Sequence, residues 1–195
     1  MGHSQADKIE SHERILAIAS RKLRGEGFDA LSVAELMKAA GMTHGGFYGH
    51  FNSRDDLVAA AFDRALAAGS KDAVAPGEYA PSARTTPSLR AWVRAYLSRS
   101  HRDDPSTGCA MAALAADAGR ARKPLRARFT RALRSFHDSM ARLMSGNGPA
   151  ARRHALAAVS TMIGALILAR AVDDVALSDE ILMAAKQSVL ALGDE

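Results

Sequence analysis

Apolar residues recur along this chain at steps of three and four rather than in alternation, so the pattern predicts helices throughout. A first helix over about residues 7–25 turns Ile15, Leu16, Ala19 and Leu23 inward, and Gly25 and Gly27 end it. Ser32 followed by Glu35 has capping-box spacing, which starts a second helix at Val33 with Leu36, Met37 and Ala40 on its apolar face. Gly41 stops that helix, because a residue free to take positive φ ends a helix most cheaply. Thr43 then caps a short third helix whose bulky apolar groups are Phe47 and Phe51. Ser53 caps a fourth over about residues 54–73, with Leu57, Ala61, Phe62 and Leu66 inward.

Pro76, Gly77, Pro81 and Pro87 cannot sustain a helix and read as a linker. Beyond it, residues 88–101 carry Leu89, Trp92, Val93, Tyr96 and Leu97 on one side, and Asp103, Asp104, Pro105 and Gly108 break the pattern. A short alanine-rich helix follows over 109–118. Pro124 suits the first turn of a seventh helix, whose stripe is Leu125, Phe129, Leu133, Phe136, Met140 and Leu143. Gly146, Gly148 and Pro149 close it. An eighth helix over 150–172 is apolar nearly all round through 156–169, and a ninth begins after Ser178, its cap, and runs through Ile181, Leu182, Ala185, Val189 and Leu192. The expectation is an all-α chain of about nine helices. A helix-turn-helix head (residues 1–53) and a connecting helix (54–73) precede a larger helical body (74–195).

The third helix holds the first sign of chemistry. Its outward positions are His44, Gly45, Gly46, Tyr48 and His50, and two adjacent glycines in a helix cost about 1 kcal/mol each against alanine. A backbone that must press against a partner gives a reason to accept that cost, and the major groove of DNA suits a helix behind a glycine turn.

Charge refines this reading. The net charge is +5, but residues 1–72 hold nine Lys/Arg against ten Asp/Glu, whereas residues 84–153 hold fifteen bases and four acids. The overall excess therefore does not argue for the head as a DNA binder. Local geometry does, since residues 43–54 carry no acid, with Lys8, Arg14 and Lys38 as nearby support. The longest uncharged apolar run, 155–169, is too short to span a bilayer, and no leader of the signal-peptide layout begins the chain, so a cytoplasmic location is expected. One cysteine, Cys109, excludes an internal disulfide framework. The seven histidines show no metal-ligand spacing, and neither a metal nor a cofactor is expected.

Residues 14–62 resemble the DNA-binding region of the TetR/AcrR-type transcriptional regulators. The residues that match are an apolar first helix, Gly27-Phe28, Ser32-Val33, Ala39-Ala40-Gly41, Thr43, Gly45, Phe47-Tyr48, His50-Phe51, Ser53-Arg54 and Leu57. The resemblance implies a ligand-responsive regulator that is not an enzyme, most simply a repressor that binds a palindromic double-stranded DNA operator as a homodimer. A small-molecule effector would release it. The expected DNA contacts are Ser32, Thr43, His44, Gly45, Gly46, Tyr48, His50 and Arg54. The Thr43 and Tyr48 hydroxyls and Arg54 would hold phosphates, as would the amides after Ser32, while residues 44–46 would face base edges.

In the body, Trp92, Tyr96, Cys109, Met111, Phe129, Phe136, Met140 and Met162 read as core, and in such a family part of that set encloses an effector cavity. Cys109 follows Gly108 at a helix start, which favours thiolate, and the pair resembles a subgroup that includes electrophile sensors. A buried apolar cysteine and a cysteine nucleophile are the alternatives. The basic run Arg120, Arg122, Lys123, Arg126, Arg128, Arg131 and Arg134 suits a solvated face, an anionic ligand or an acidic lipid surface. Leu156, Ser160, Gly164 and Ile167 of the eighth helix, with Ile181, Ala185 and Val189 of the ninth, are expected to pair with a second copy as a four-helix interface.

Overall fold

The computed structural model describes residues 5–72, 88–144 and 148–194, and the proline-rich stretch expected as a linker lies outside them. The described residues are helical without a strand: α1 (Gln5–Glu26), α2 (Val33–Ala39), a 3-10 helix (His44–Gly49), α3 (Arg54–Asp72), α4 (Leu89–Tyr96), α5 (Arg99–Asp103), α6 (Ala110–Arg120), α7 (Lys123–Leu143), α8 (Pro149–Ala171) and α9 (Val175–Asp194).

In the head, α1 lies along α3, and Ile15, Ala19 and Leu23 meet Leu57, Ala61 and Phe62 with almost no exposure. Phe28 closes the end of this pair, its ring edge-on to Phe62 at 5.0 Å. The same core runs on without a break into the body, through α6 and α7 to α8 and α9. Arg24 of α1 spans the two parts, donating from Nε to the Ser106 carbonyl at 2.7 Å and from Nη1 to that of Ala65 at 3.5 Å.

Three boundaries differ from expectation. The fifth helix is two: α4 ends at Tyr96 because the backbone of Leu97 leaves the helical region (φ −94°, ψ 42°), and the Ser98 hydroxyl caps α5 through the His101 amide at 3.2 Å. The ninth helix starts before Ser178, because Asp174 Oδ1 accepts from the amides of Ala176 (2.8 Å) and Leu177 (3.1 Å). Ser178 is therefore no cap; its hydroxyl donates to the Ala169 carbonyl at 2.6 Å and stitches α9 to α8. Finally, the segment expected as the third helix is a 3-10 helix, and Thr43 precedes it without a capping bond from its side chain.

Helix α8 is long and apolar enough by composition to cross a membrane, with 39% of its most apolar stretch buried in the chain. Its inner face (Ala155, Ala158, Val159, Met162, Leu166) packs against α7 and α9. The outer face keeps Leu156 at 46%, Ile167 at 39% and Leu168 at 56% exposure, continued on α9 by Val175, Leu177 and Met183. Ser160 is exposed and Gly164 and Ile181 half-buried near this face. Ala185 and Val189, expected beside them, point the other way: 6% and 0% exposed, they fill the chain's own core and have no surface left to offer a second copy. Periodicity places both faces of α9 equally well, and only the packing partner distinguishes them.

Candidate nucleic-acid interface

The turn before the 3-10 helix is built by the backbone. Ser32 caps α2, its hydroxyl accepting from the Glu35 amide at 3.4 Å. At the other end Gly41 takes φ +73°, the left-handed conformation that a side chain resists. There Met42 N donates to the Met37 carbonyl (2.8 Å) and Gly41 N to that of Lys38 (3.0 Å), the crossed pair of a Schellman cap. This fixes the angle at which the next segment leaves.

The 3-10 helix is then anchored by two rings. Phe47 is 2% exposed and Phe51 6%, their centroids 5.6 Å apart. With both pointing inward, the helix turns Thr43, His44, Gly45 and Tyr48 to solvent. A Cβ added at Gly45 would meet nothing within 4 Å, so the backbone there stands bare. Tyr48 is 70% exposed, its ring edge-on to that of Phe47 at 5.3 Å. Exposed to this degree, the ring adds little to the packing of the head itself.

Three of the expected contact residues are placed differently. A Cβ at Gly46 would touch the methyl ends of Met37 and Met42 at 3.6 Å, so this glycine faces α2 rather than outward. His50 is half-buried, with its ring 5.8 Å from that of His12 on α1; its Nδ1 is enclosed without a hydrogen-bond partner. Burial, with lesser pushes from His12 and Lys8, lowers its pKa and favours the neutral ring. Arg54 spends Nε on the Leu31 carbonyl and Nη2 on that of Phe28, both at 3.0 Å, and so ties the α1–α2 connection to the start of α3. Four-residue spacing shows which positions share a face, but not which of them a neighbouring helix claims.

The body brings its expected residues together in one buried group. Trp92 and Phe136 meet edge-on at 5.1 Å, and Tyr96 lies 5.9 Å from Phe136. Met111, Met140 and Met162 belong to the same core and Phe129 packs on it half-buried. The Tyr96 hydroxyl is buried with no oxygen or nitrogen partner; burial raises the phenol well above its usual range, and the neighbouring Cys109 thiol, by charge and hydrogen bonding, adds to the rise.

Cys109 is 2% exposed, and His101 binds its backbone rather than its sulfur: Cys109 N donates to Nε2 at 2.9 Å, while Nδ1 lies 2.6 Å from the Tyr96 carbonyl. An amide can only donate, so Nε2 accepts and Nδ1 carries the proton. With its one acceptor nitrogen occupied, His101 is not placed to activate the thiol as a base. Gly108 owes its identity to the same cluster, since a Cβ would lie 2.8 Å from His101 Cδ2 and 3.0 Å from Arg170 Nη2. No spacing rule marks His101 and Arg170 in the sequence as members of one cluster.

The described residues hold no cluster of three or more His, Cys, Asp or Glu that suits a metal ion. A cleft of about 470 Å³ opens where the start of α3 (Arg54, Asp55, Asp56, Val58) faces the α6–α7 turn (Ala121, Arg122, Pro124, Leu125).

Comparison with known proteins agrees with this geometry. A family model described as bacterial regulatory proteins, tetR family, matches residues 15–61. A second, described as the C-terminal domain of LmrA/YxaF-like transcriptional regulators, matches residues 86–186. No curated protein matches the chain. Among solved structures, a TetR-family regulator from Cytophaga hutchinsonii is similar at TM-score 0.77 and 17% identity over 100% of both chains. One from Chloroflexus aurantiacus follows at 0.74 and 24% over 96% of each. The reduced form of E. coli NemR is similar at 0.68 and 20%, over 92% of this chain and 95% of that one. At these identities the likeness is one of fold.

Proposed function

Because the chain belongs to the TetR family of DNA-binding transcriptional regulators, we propose that it represses transcription from an inverted-repeat operator as a homodimer. A small-molecule effector bound in the body releases it. In this proposal residues 1–53 read DNA, 54–73 transmit and 74–195 bind the effector and pair. The observation that carries the DNA reading is the bare, exposed surface of Gly45 and Tyr48 on a segment whose inner side is locked by Phe47 and Phe51. Thr43 and Tyr48 supply hydroxyls to phosphates and position the head, while His44 and the Gly45 backbone approach the bases. Few side chains are left to discriminate sequence, so specificity depends on the fixed separation of two heads.

The exposed apolar face of α8 and α9 supports pairing with a second copy, which sets that separation. For the effector, the buried Trp92, Tyr96 and Phe136 rings and the Tyr96 hydroxyl, which has no oxygen or nitrogen partner, support a mainly apolar molecule with one polar group. It acts by binding more tightly to a conformer whose heads no longer match the operator spacing. Selection of duplexes from a random-sequence library by the purified protein tests the whole reading. Enrichment of a two-fold symmetric site supports it, and recovery of unselected sequence overturns it.

A further inference from the structure

The charge of the head and the charge of the body do not match the task assigned to each. Residues 43–54 carry no acid, but the next two, Asp55 and Asp56, stand exposed in the first turn of α3 at the edge of the reading surface. Phosphates approaching that edge meet two negative charges. The α6–α7 turn lies against the same edge: Arg122 Nη1 is 4.0 Å from Asp55 Oδ2, with the two side chains 91% and 80% exposed. Arg128 of α7 pairs with Asp63, about two turns further along α3, so α7 and α3 rise side by side from this point.

Three cations crowd the lower end of α7, namely Arg122, Lys123 and Arg126, all exposed or at the rim. Lys123 and Arg126 have no acidic partner among the described residues, and the first acid within α7 is Asp138. A solvated basic face needs no such arrangement. Arg122 offsets Asp55, and the other two leave positive charge where the head has none to spare.

We propose that the α6–α7 turn, through Arg122, Lys123 and Arg126, is a second phosphate-binding element that the body lends to the reading head. The inference rests on the DNA-binding reading above. The cations hold the backbone of the duplex beside each half-site and carry no sequence information, as expected of phosphate contacts. They belong to the body, whereas Tyr48 belongs to the head, so any conformer that shifts the two parts against each other weakens both sets of contacts at once.

The test compares wild type with the triple variant Arg122→Gln/Lys123→Gln/Arg126→Gln on the duplex enriched by the selection above, extended by random-sequence flanks. Affinity is read by fluorescence anisotropy across a salt series. Removing one phosphate contact lowers the slope of log K against log salt by about 0.9. The expected result is a slope smaller by about two to three units per half-site, about five for the dimer on its two-fold site, and binding weaker by about tenfold or more at low salt. The preference for the enriched site over a scrambled one should stay the same. Arg122→Lys/Arg126→Lys keeps the charges and should keep the slope.

A triple variant with the wild-type slope and affinity overturns the inference while leaving the DNA-binding reading intact. Failure of wild type to bind any duplex overturns both. Binding to phosphatidylglycerol vesicles that the triple variant loses, with its DNA slope unchanged, overturns the inference in favour of a lipid surface.

Discussion

The His101 imidazole accepts the backbone amide of Cys109 at 2.9 Å and holds the Tyr96 carbonyl on its other nitrogen at 2.6 Å. It thereby fixes the α5–α6 connection in one tautomer. That arrangement needs a neutral ring, and burial lowers the pKa of His101 from 6.5 to about 4.

The consequence for pH follows from the sign of that shift. Between these two values the unfolded chain binds a proton that the folded chain refuses, so stability falls as pH drops from about 6.5 toward 4. At pH 5 the loss attributable to His101 is about 2 kcal/mol. Urea melts at pH 7 and pH 5 should show wild type losing more than His101→Gln by that margin. His50, also shifted down, contributes to both proteins and cancels in the comparison.

Tyr48→Ala removes a ring that is 70% exposed and meets the ring of Phe47 edge-on. DNA affinity should drop by about two orders of magnitude, a loss equivalent to about 2.7 kcal/mol. The melting temperature should stay within a few degrees, as for most surface substitutions. Retained binding would remove Tyr48 from the interface.

The outer face of α8 and α9 gives a prediction about assembly. Leu168→Glu or Met183→Glu places a charge on an apolar face that is 56% exposed in the single chain at both positions. Sedimentation should show monomers that remain helical. Val189→Ala, by contrast, should leave the assembly state alone and cost about 1–2 kcal/mol of stability, because Val189 is buried at 0% exposure.

Gly108→Ala drives a Cβ to 2.8 Å from His101 and 3.0 Å from Arg170, neither of which is the loose end of a mobile chain. His101 is pinned on both nitrogens, and Arg170 donates to the carbonyls of His101 (2.6 Å) and Arg102 (3.0 Å). Overpacking of this kind costs about 1–3 kcal/mol, measurable as a lower midpoint in urea. A stability equal to wild type would mean that the cluster yields easily.

Cys109, 2% exposed with His101 engaged on its backbone, should react with a thiol reagent in the folded protein at least about a hundredfold more slowly than in urea. Rapid labelling of the native protein would favour the sensor reading instead.

What could be read from the sequence divides along a physical line. The Ser32 cap, the Gly41 turn and the inward pair Phe47 and Phe51 are local: spacing and backbone freedom determine them within a few residues, and they stand as expected. Gly46, His50, Arg54, Val189 and Ser178 depend on what comes from elsewhere in the chain to meet them. Met37 and Met42 claim the face of Gly46, and His12 receives His50. Two carbonyls before α2 take up Arg54, and the end of α8 takes the Ser178 hydroxyl. The buried His101–Arg170 cluster left no trace in the periodicity, because it joins residues about seventy positions apart.

Arg24 gives the last consequence. From α1 its guanidinium grips the loop that leads to Gly108 and Cys109, and the apolar side of the head continues into α6 without a gap. A head cut away at the end of α3 would keep its recognition turn but lose this clasp and bare part of its core to water. The reading head is thus no interchangeable cassette: grafted onto the body of a relative, it would need Ser106 and its surroundings to come along.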